Sequence, residues 1–314
     1  MNVLVLGGTG FIGRHVVAGL LERGHRVVIG SRHPDRSRFK LPAPARHCEM
    51  RSARHERLQT PQAWAPLLQG IDGAINCVGI LRQRGMFQRE TYERIHHLAP
   101  AALAAACAPC GVARLIHVSA LGLHADARSG FITSKLRGEA ALAAAAARAG
   151  GDISIVRPSL LDGPGGFGAC WLRRVARWPL HLVPASATGR IAPLAVSDLG
   201  EAIARLAELR GRADLREVEL GGTVTYSMRE LVEALRRAYG LAPARAFAVP
   251  HGLARAACHV LDVLHLTPLS FGHLELMARD NEPRVNRLRE LLGREPKALG
   301  ADIAQTADAA LARG

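Results

Sequence analysis

Aromatic residues are scarce in this 314-residue chain, at 4% of the total. That scarcity argues against modules that stack nucleic-acid bases on aromatic platforms. Lysine is scarcer still, occurring only at positions 40, 135 and 297. The formal net charge of +14 is therefore carried almost wholly by arginine. The arginines are scattered, without zinc-finger spacing or aromatic interleaving, so nucleic acid is not the expected partner. Genome base composition alone accounts for such arginine abundance on one reading; on the other it attracts a polyanion, an anionic membrane surface or an acidic protein partner. The six cysteines, at 48, 77, 107, 110, 170 and 258, do not make a disulfide framework in a chain of this size with no secretory signal. Cys107-Ala108-Pro109-Cys110 has the C-x-x-C spacing, but no second pair or histidine cluster completes a zinc site. It reads as a buried structural pair, and no metal is expected. No apolar run is long enough to span a bilayer. The longest, 98–113, is broken by Pro100, Pro109 and Gly111. The expected location is cytoplasmic, with peripheral attachment at the inner membrane surface left open.

What is present begins almost at the first residue. Val3-Leu4-Val5-Leu6 reads as a buried parallel strand. Gly7, Gly10 and Gly13 follow at every third position, and Gly8, Gly10 and Gly13 also spell G-x-G-x-x-G. Residues 15–21 then carry apolar side chains at helical spacing up to Gly24. Strand, glycine turn and helix in that order are the setting in which this motif binds a dinucleotide. Glycine lets the backbone approach a pyrophosphate, and the first helical turn offers its unpaired N–H groups. The expected cradle is Gly7, Gly8, Thr9, Gly10, Phe11, Ile12, Gly13 and Arg14.

Residues 25–32 read as a second strand. Where an acidic residue would hold the ribose of NAD, the chain has Ser31 and Arg32, with Arg36 nearby. Cations there, together with Arg14, suit a 2′-phosphate, so the expected cofactor is NADP(H). A third strand is placed through 46–50, a short helix over 61–68, and a fourth strand with its exit turn over 74–79. A long helix is expected over 88–108, a fifth strand over 114–119, a helix over 134–149 and a sixth strand over 153–158. This alternation predicts an α/β fold with a doubly wound parallel sheet and helices on both faces. Past Pro158 the composition turns rich in Gly and Pro. Ser197-Asp198 is a candidate N-cap before a helix over 199–209, and 218–220 a short strand. Ser227 and Glu230 spell a capping box before a helix to Tyr239. Helices are expected over 251–264 and 270–280, with a helical tail from 286. The expected division is 1–157 for nucleotide binding and 158–314 for a smaller, mostly helical substrate or partner subdomain, with segments free to interleave.

Taken together, Gly7-x-x-Gly10-x-x-Gly13, Asn76-Cys77-Val78-Gly79, His117-Val118-Ser119-Ala120-Leu121-Gly122 and Arg157-Pro158-Ser159 resemble the extended or atypical short-chain dehydrogenases/reductases. More narrowly, the chain resembles the group containing the NADPH-binding accessory subunit of respiratory complex I and its bacterial relatives. That narrower resemblance rests on Val78-Gly79-Ile80-Leu81, Ser119 to Gly122, Ser134-Lys135-x-x-Gly138-Glu139, and Pro268-Leu269-Ser270 leading to Asp280-Asn281.

The broad family implies a tyrosine and lysine spaced Y-x-x-x-K, with a serine that polarises the substrate carbonyl. Here the spacing reads Phe131-Ile132-Thr133-Ser134-Lys135. Lys135 and Ser119 keep their expected roles, but Phe131 has no hydroxyl to act as general acid. Tyr92, Tyr226 and Tyr239 lie far away in sequence, and spacing places none of them in the site. The resemblance further implies Cys77, Val78, Gly79, Arg157, Pro158 and Ser159 around the nicotinamide. A bound nucleotide with little turnover is the first expectation, in an accessory or assembly role linked to complex I or quinone metabolism. An active NADP-dependent oxidoreductase or isomerase on a small apolar or quinone-like substrate is the alternative. A nucleotide-sensing regulator is a weaker one. Trp171 to Leu180, with Arg173, Arg174 and Arg177, is the candidate surface for a protein or membrane-associated partner.

Overall fold

The computed structural model describes residues 1–39, 41–81, 83, 90–264 and 270–303. The first half runs β1 (Asn2–Leu6), α1 (Gly13–Glu22), β2 (Arg26–Ser31), α2 (Pro34–Arg38), α3 (Ala43–Arg46), β3 (Glu49–Ser52), α4 (Pro61–Leu68) and β4 (Gly73–Asn76). A π-helical turn (Glu93–Leu98) leads into α5 (Ala99–Cys107), followed by β5 (Arg114–Val118), α6 (Gly130–Ala149) and β6 (Asp152–Pro158). The second half runs β7 (Leu161–Asp162), α7 (Phe167–Ala176), β8 (Leu180–Pro184), β9 (Leu194–Ala195), α8 (Val196–Leu206), β10 (Glu217–Leu220), α9 (Met228–Ala238), β11 (Arg245–Val249), α10 (His251–Leu264), α11 (Phe271–Met277) and α12 (Leu288–Leu292).

Seven strands form one parallel sheet in the order β10-β6-β5-β4-β1-β2-β3. This is the doubly wound arrangement with its switch point between β1 and β4. Alternation along β1 shows why the sheet needs helices on both faces. Val3 and Val5 join α1 and α8 on one side, while Leu4 and Leu6 join α4, α5 and α6 on the other. Full burial of each such side chain contributes about 1.5–3 kcal/mol. Small residues bring α1 and α8 together: a Cβ on Gly200 would lie 2.6 Å from the backbone of His15.

The division expected at residue 157 is crossed more than once. Residues 217–220 return to the sheet beside β6, and α8 and α12 pack into the same core as β1. What remains is a smaller apolar cluster built on α7 and α9. Ser197-Asp198 does not cap α8, which starts at Val196 after Ala195. Asp198 is instead fully buried, where it accepts the Lys297 N–H at 2.6 Å and pairs with Arg294 at 2.9 Å. The capping box of Ser227 and Glu230 is formed as spelled. The long helix expected over 88–108 is a π turn followed by α5, and residues 88 and 89 lie outside the described residues. Helix α6 begins four residues earlier than expected, with Ser129 accepting the Ile132 N–H, so Phe131 sits on its first turn. Of the helical tail, α12 is described and 304–314 lie outside the described residues.

Candidate functional site

A cavity of about 760 Å³ opens at the carboxyl ends of β1, β2, β4, β5 and β6. Open α/β sheets hold their ligands there. At its base, Gly7 takes a φ of 72° and donates its N–H to Gly30 O at 2.9 Å. Gly10 turns back to donate to Gly7 O at 2.8 Å. A Cβ on Gly13 would fall 2.2 Å from Gly7 O, so the start of α1 lies against the loop only because that Cβ is missing. A Cβ on Gly8 would likewise lie 3.0 Å from the Ile29 side chain. Gly8 and Gly13 shape the turn from behind, while Gly7, Thr9, Gly10, Phe11 and Ile12 line the cavity.

At the far end, Ser31, Arg32, His33, Ser37, His55 and Glu56 converge. Ser31 Oγ donates to Ser37 Oγ at 3.1 Å and accepts the His33 N–H. Arg32 pairs with Glu90. Glu56 Oε2 and His55 Nε2 are buried and find no partner among the described residues. Burial, only partly opposed by Asn76, holds His55 down to about 4. Two arginines expected here are elsewhere. The Arg14 guanidinium binds Pro164 O and lies 5.7 Å over the Phe11 ring. Arg36 stands on the exposed face of α2 and does not line the cavity.

The middle of the cavity holds the expected chemical groups. Cys77, Val78 and Gly79 form one wall, and Ser119, Lys135, Pro158 and Ser159 the opposite one. Burial pushes the Cys77 thiol up to about 12, so it is an inert wall rather than a nucleophile. Ser119 Oγ is buried with no partner among the described residues. Burial pulls the Lys135 ammonium down to about 8, against the opposing charge of Glu139. Arg157 is not beside this wall. Its guanidinium is turned to Glu139 at 2.6 Å and Glu217 at 2.6 Å. An arginine at the end of β6 finds these two carboxylates because α6 and β10 flank that strand.

Phe131 lines the cavity and is enclosed by rings. Its centroid lies 5.9 Å from Tyr92, 5.5 Å from His96 and 5.6 Å from His273. Lys135 Nζ is 5.7 Å from the same centroid. Spacing does not announce this cluster, because Tyr92 and His96 come from one segment, Phe131 from a second and His273 from a third, all far apart in the chain. His96 is buried and braced: Nε2 accepts the Ile80 N–H at 3.1 Å and Nδ1 meets Ser134 Oγ at 3.0 Å. Burial, with the charges of Lys135 and His117, holds it well below its ordinary value. The π turn sets its register, and a Cβ on Gly138 of α6 would fall 2.0 Å from His96 O.

Beyond Phe131 the cavity turns apolar, with Leu160, Phe167, Trp171, Leu172, Met228 and Met277 along its walls. Among the described residues that line it, Arg32 and Lys135 are the lysine and arginine side chains, and both lie toward the glycine end. Trp171 and Leu172 thus belong to the cavity, whereas Trp178 and Leu180 are exposed. Arg173 is not free for a partner, being paired with Asp162 at 2.7 Å and Asp302 at 2.6 Å. Among the described residues no group of His, Cys, Asp and Glu is placed to hold a metal. No described helix is long and apolar enough to cross a membrane.

The chain belongs to the NAD dependent epimerase/dehydratase family, whose model matches residues 3–218. Its cofactor class is accordingly a nicotinamide dinucleotide. Among curated proteins it is 29% identical over 243 residues to a ceramide reductase of Caulobacter vibrioides, covering 77% of this chain and 71% of that protein. Among solved structures it is similar to the UDP-glucuronic acid 4-epimerase of Bacillus cereus in complex with UDP-glucuronic acid and NAD. That match has a TM-score of 0.68 at 16% identity over 97% of each chain. It is equally similar to MoeE5 in complex with UDP-glucuronic acid and NAD, with a TM-score of 0.68 at 21% identity over 98% of this chain and 100% of that one. At these identities the structural matches establish the fold.

Proposed function

We propose that this protein is an NADP(H)-dependent reductase of a long-chain lipid carbonyl, of the ceramide type. The observation that carries the reading is the apolar half of the cavity. A nucleotide sugar would bring a diphosphate into that half, where no described lysine or arginine lines the wall. A burial cost of several kcal/mol attaches to each unpaired charge. An alkyl chain fits the same walls with no such cost. The 29% identity to a ceramide reductase supports the same substrate class.

The residues present fit the cofactor. The turn from Gly7 to Gly13 leaves room that any Cβ would fill, and Ser119 presents a buried hydroxyl with no partner among the described residues. Thr9 to Ile12 would hold the pyrophosphate and Lys135 the nicotinamide ribose. Ser31 and Arg32 would take the 2′-phosphate, which supports NADP(H) over NAD. Glu56 and His55 are left for the ribose and adenine. When bound, the reduced nicotinamide supplies hydride. The chain's own part is to hold a carbonyl oxygen against Ser119 Oγ and to exclude water with the apolar wall.

The test is direct. NADPH and NADH are titrated by fluorescence, and a panel of long-chain ketones, including a keto-ceramide, is assayed for NADPH oxidation. Tight NADPH binding with turnover of long-chain substrates alone is the expected result. No turnover with any of them overturns the reading. The lost hydroxyl at Phe131 favours a second reading: a bound nucleotide serving structure in an accessory role like that of the complex I subunit group. Exposed Trp178 and Leu180, with Arg174 and Arg177 beside them, support a peripheral position at the inner membrane surface for either reading.

A further inference from the structure

Carboxylates are spread unevenly along this chain. Residues 163–197 and 234–261 contain no aspartate or glutamate. These two stretches supply α7, the β8–β11 ribbon and the first turns of α10. Some of their arginines are held by the fold. Arg173 pairs with Asp162 and Asp302, Arg190 with Glu230, and Arg236 donates to the carbonyls of Ala176 and Trp178. Arg174, Arg177, Arg245 and Arg255 are exposed and make no ion pair among the described residues. Arg177 and Arg255 lie over the rings of Tyr239 and Phe271, at 5.7 and 5.8 Å, and a ring does not neutralise a cation.

The ribbon that goes with these cations turns its apolar side outward. Strands β8 and β11 pair in parallel, with Leu180 opposite Arg245 and Leu182 opposite Phe247. Paired residues share a face, and neighbours along a strand alternate. His181 and Val183 therefore point inward: His181 is buried, and Val183 joins the cluster built on α7 and α9. On the outer face Leu182 is 63% exposed and Phe247 56%. Trp178, two residues before Leu180, and Leu253, on the first turn of α10, are exposed as well. Large apolar side chains left open together mark an interaction surface. The same elements reach the cavity. Helix α7 carries Trp171 and Leu172 of its apolar wall, and α10 packs on α11, which carries Leu276 and Met277.

We propose that the outer face of the β8–β11 ribbon docks on an anionic lipid bilayer. Trp178, Leu182 and Phe247 enter the interface, and Arg174, Arg177, Arg245 and Arg255 meet the lipid phosphates. This deepens the peripheral position proposed above and does not depend on the hydride chemistry. Apolar side chains alone would suit a second copy of this chain equally well. The charges decide against that. A symmetric contact sets each patch of unpaired cations against its own copy, with no carboxylate in either stretch to meet them. An anionic bilayer supplies both complements at once, phosphate for arginine and hydrocarbon for leucine and phenylalanine. Docked in this way, two elements of the cavity's apolar wall stand next to the source of a long-chain substrate.

The experiment is flotation of the full chain with vesicles of phosphatidylcholine, alone or mixed with phosphatidylglycerol, over a salt series. Oligomeric state is followed by light scattering, and turnover is measured with a detergent-dispersed long-chain ketone. Wild type is compared with Leu182→Ser/Phe247→Ser and with Arg174→Gln/Arg245→Gln. The charge-matched control is Arg148→Gln/Arg216→Gln, two exposed arginines at the amino ends of β6 and β10. Wild type should float with the anionic vesicles only, and salt should release it. Loss of the two ribbon arginines should lower vesicle affinity about 10–30-fold. Loss of Leu182 and Phe247 should lower it about 30-fold or more. The control should stay within about twofold, its charges lying beyond the reach of the surface potential. Brominated phosphatidylglycerol should quench tryptophan fluorescence in wild type and much less in Trp178→Phe. Wild type that floats with neither vesicle overturns the proposal, as do ribbon variants that float as well as wild type. A wild-type dimer that Leu182→Ser/Phe247→Ser dissolves, without flotation, gives the face to a second copy and also overturns it. Flotation without ketone turnover leaves the docking face standing while the reductase reading falls, and turnover without flotation does the reverse.

Discussion

The two ends of the cavity are built by different means. At the glycine end the wall is backbone, and what matters is the absence of side chains at fixed intervals. At the apolar end the wall is side chains, drawn from 160–172, 228 and 273–277. The first kind of site writes itself into the sequence as spacing. The second is written in leucine, methionine and tryptophan, the same letters used for an ordinary core. Substitutions at the two ends should therefore fail in different ways.

The largest expected effect is at Gly13. In Gly13→Ala the new Cβ meets Gly7 O, Gly7 C and Gly8 Cα at 2.2–2.7 Å, all backbone, so the turn must open. Overpacking of this kind costs about 1–3 kcal/mol. NADPH affinity should fall at least 100-fold in a fluorescence titration, with a lower urea midpoint. Gly168→Ala, at the apolar end, meets no described atom within 4 Å and should change neither. Equal effects at both positions would break the comparison.

Next in size is a charge placed in the apolar end. Met228→Asp or Leu172→Asp would desolvate a carboxylate against any bound chain. KM for a long-chain ketone should rise about 10–100-fold, an alkyl contact being worth about 1–3 kcal/mol. NADPH affinity should hold within twofold. A matching loss of NADPH affinity would show that the two ends do not act separately.

Acid should then separate the two ends by stability. His117 lies on β5, His96 on the π turn and His55 at the glycine end of the cavity, and burial is the chief reason each is held neutral, His55 at about 4 and His117 at about 3. Below about 6.5 the unfolded chain takes up protons that the folded chain refuses. Stability is fully present above 6.5 and is lost as pH falls toward those lower values. Each such histidine contributes a slope of up to about 1.4 kcal/mol per pH unit. Thermal melts from pH 7.5 to 4.5 should fall steeply below 6.5. Hydrogen exchange should loosen β4, β5 and the π turn before α9.

How much of this was legible follows from the same contrast. The strand–glycine–helix opening, the parallel sheet, Lys135 and the missing hydroxyl at Phe131 were all readable, because each depends on local spacing. Arg14, Arg36 and Arg157 stand away from the cavity wall for a common reason. In an arginine-rich chain, proximity in sequence says that a cation is near a site, not which carboxylate or carbonyl claims it. Arg157 went to Glu139 and Glu217, residues 18 and 60 positions away. His273 was unreadable for the converse reason. The contact between α11 and α6 joins residues about 140 apart, and its marks are a lone glycine at 272 and a glutamate at 275. Sequence distance puts no tyrosine in the site, yet Tyr92 lies against Phe131 because the π turn folds back onto α6.

The smallest expected effect concerns Lys135, where the two ends meet. Its ammonium is buried and pulled from 10.5 to about 8, with only partial help from Glu139. A base with a lowered folded pKa costs stability wherever it must stay protonated, and the cost is relieved as pH rises from about 8 to 10.5. In the absence of nucleotide, Lys135→Met should therefore be more stable than wild type at pH 7, by about 1 kcal/mol. The difference should shrink as pH approaches 10.5, read from urea midpoints at each pH. With NADPH added the order should reverse, since wild type alone keeps the proposed ribose contact. A variant less stable than wild type at pH 7 without nucleotide would mean that Lys135 braces the fold rather than waiting for its ligand.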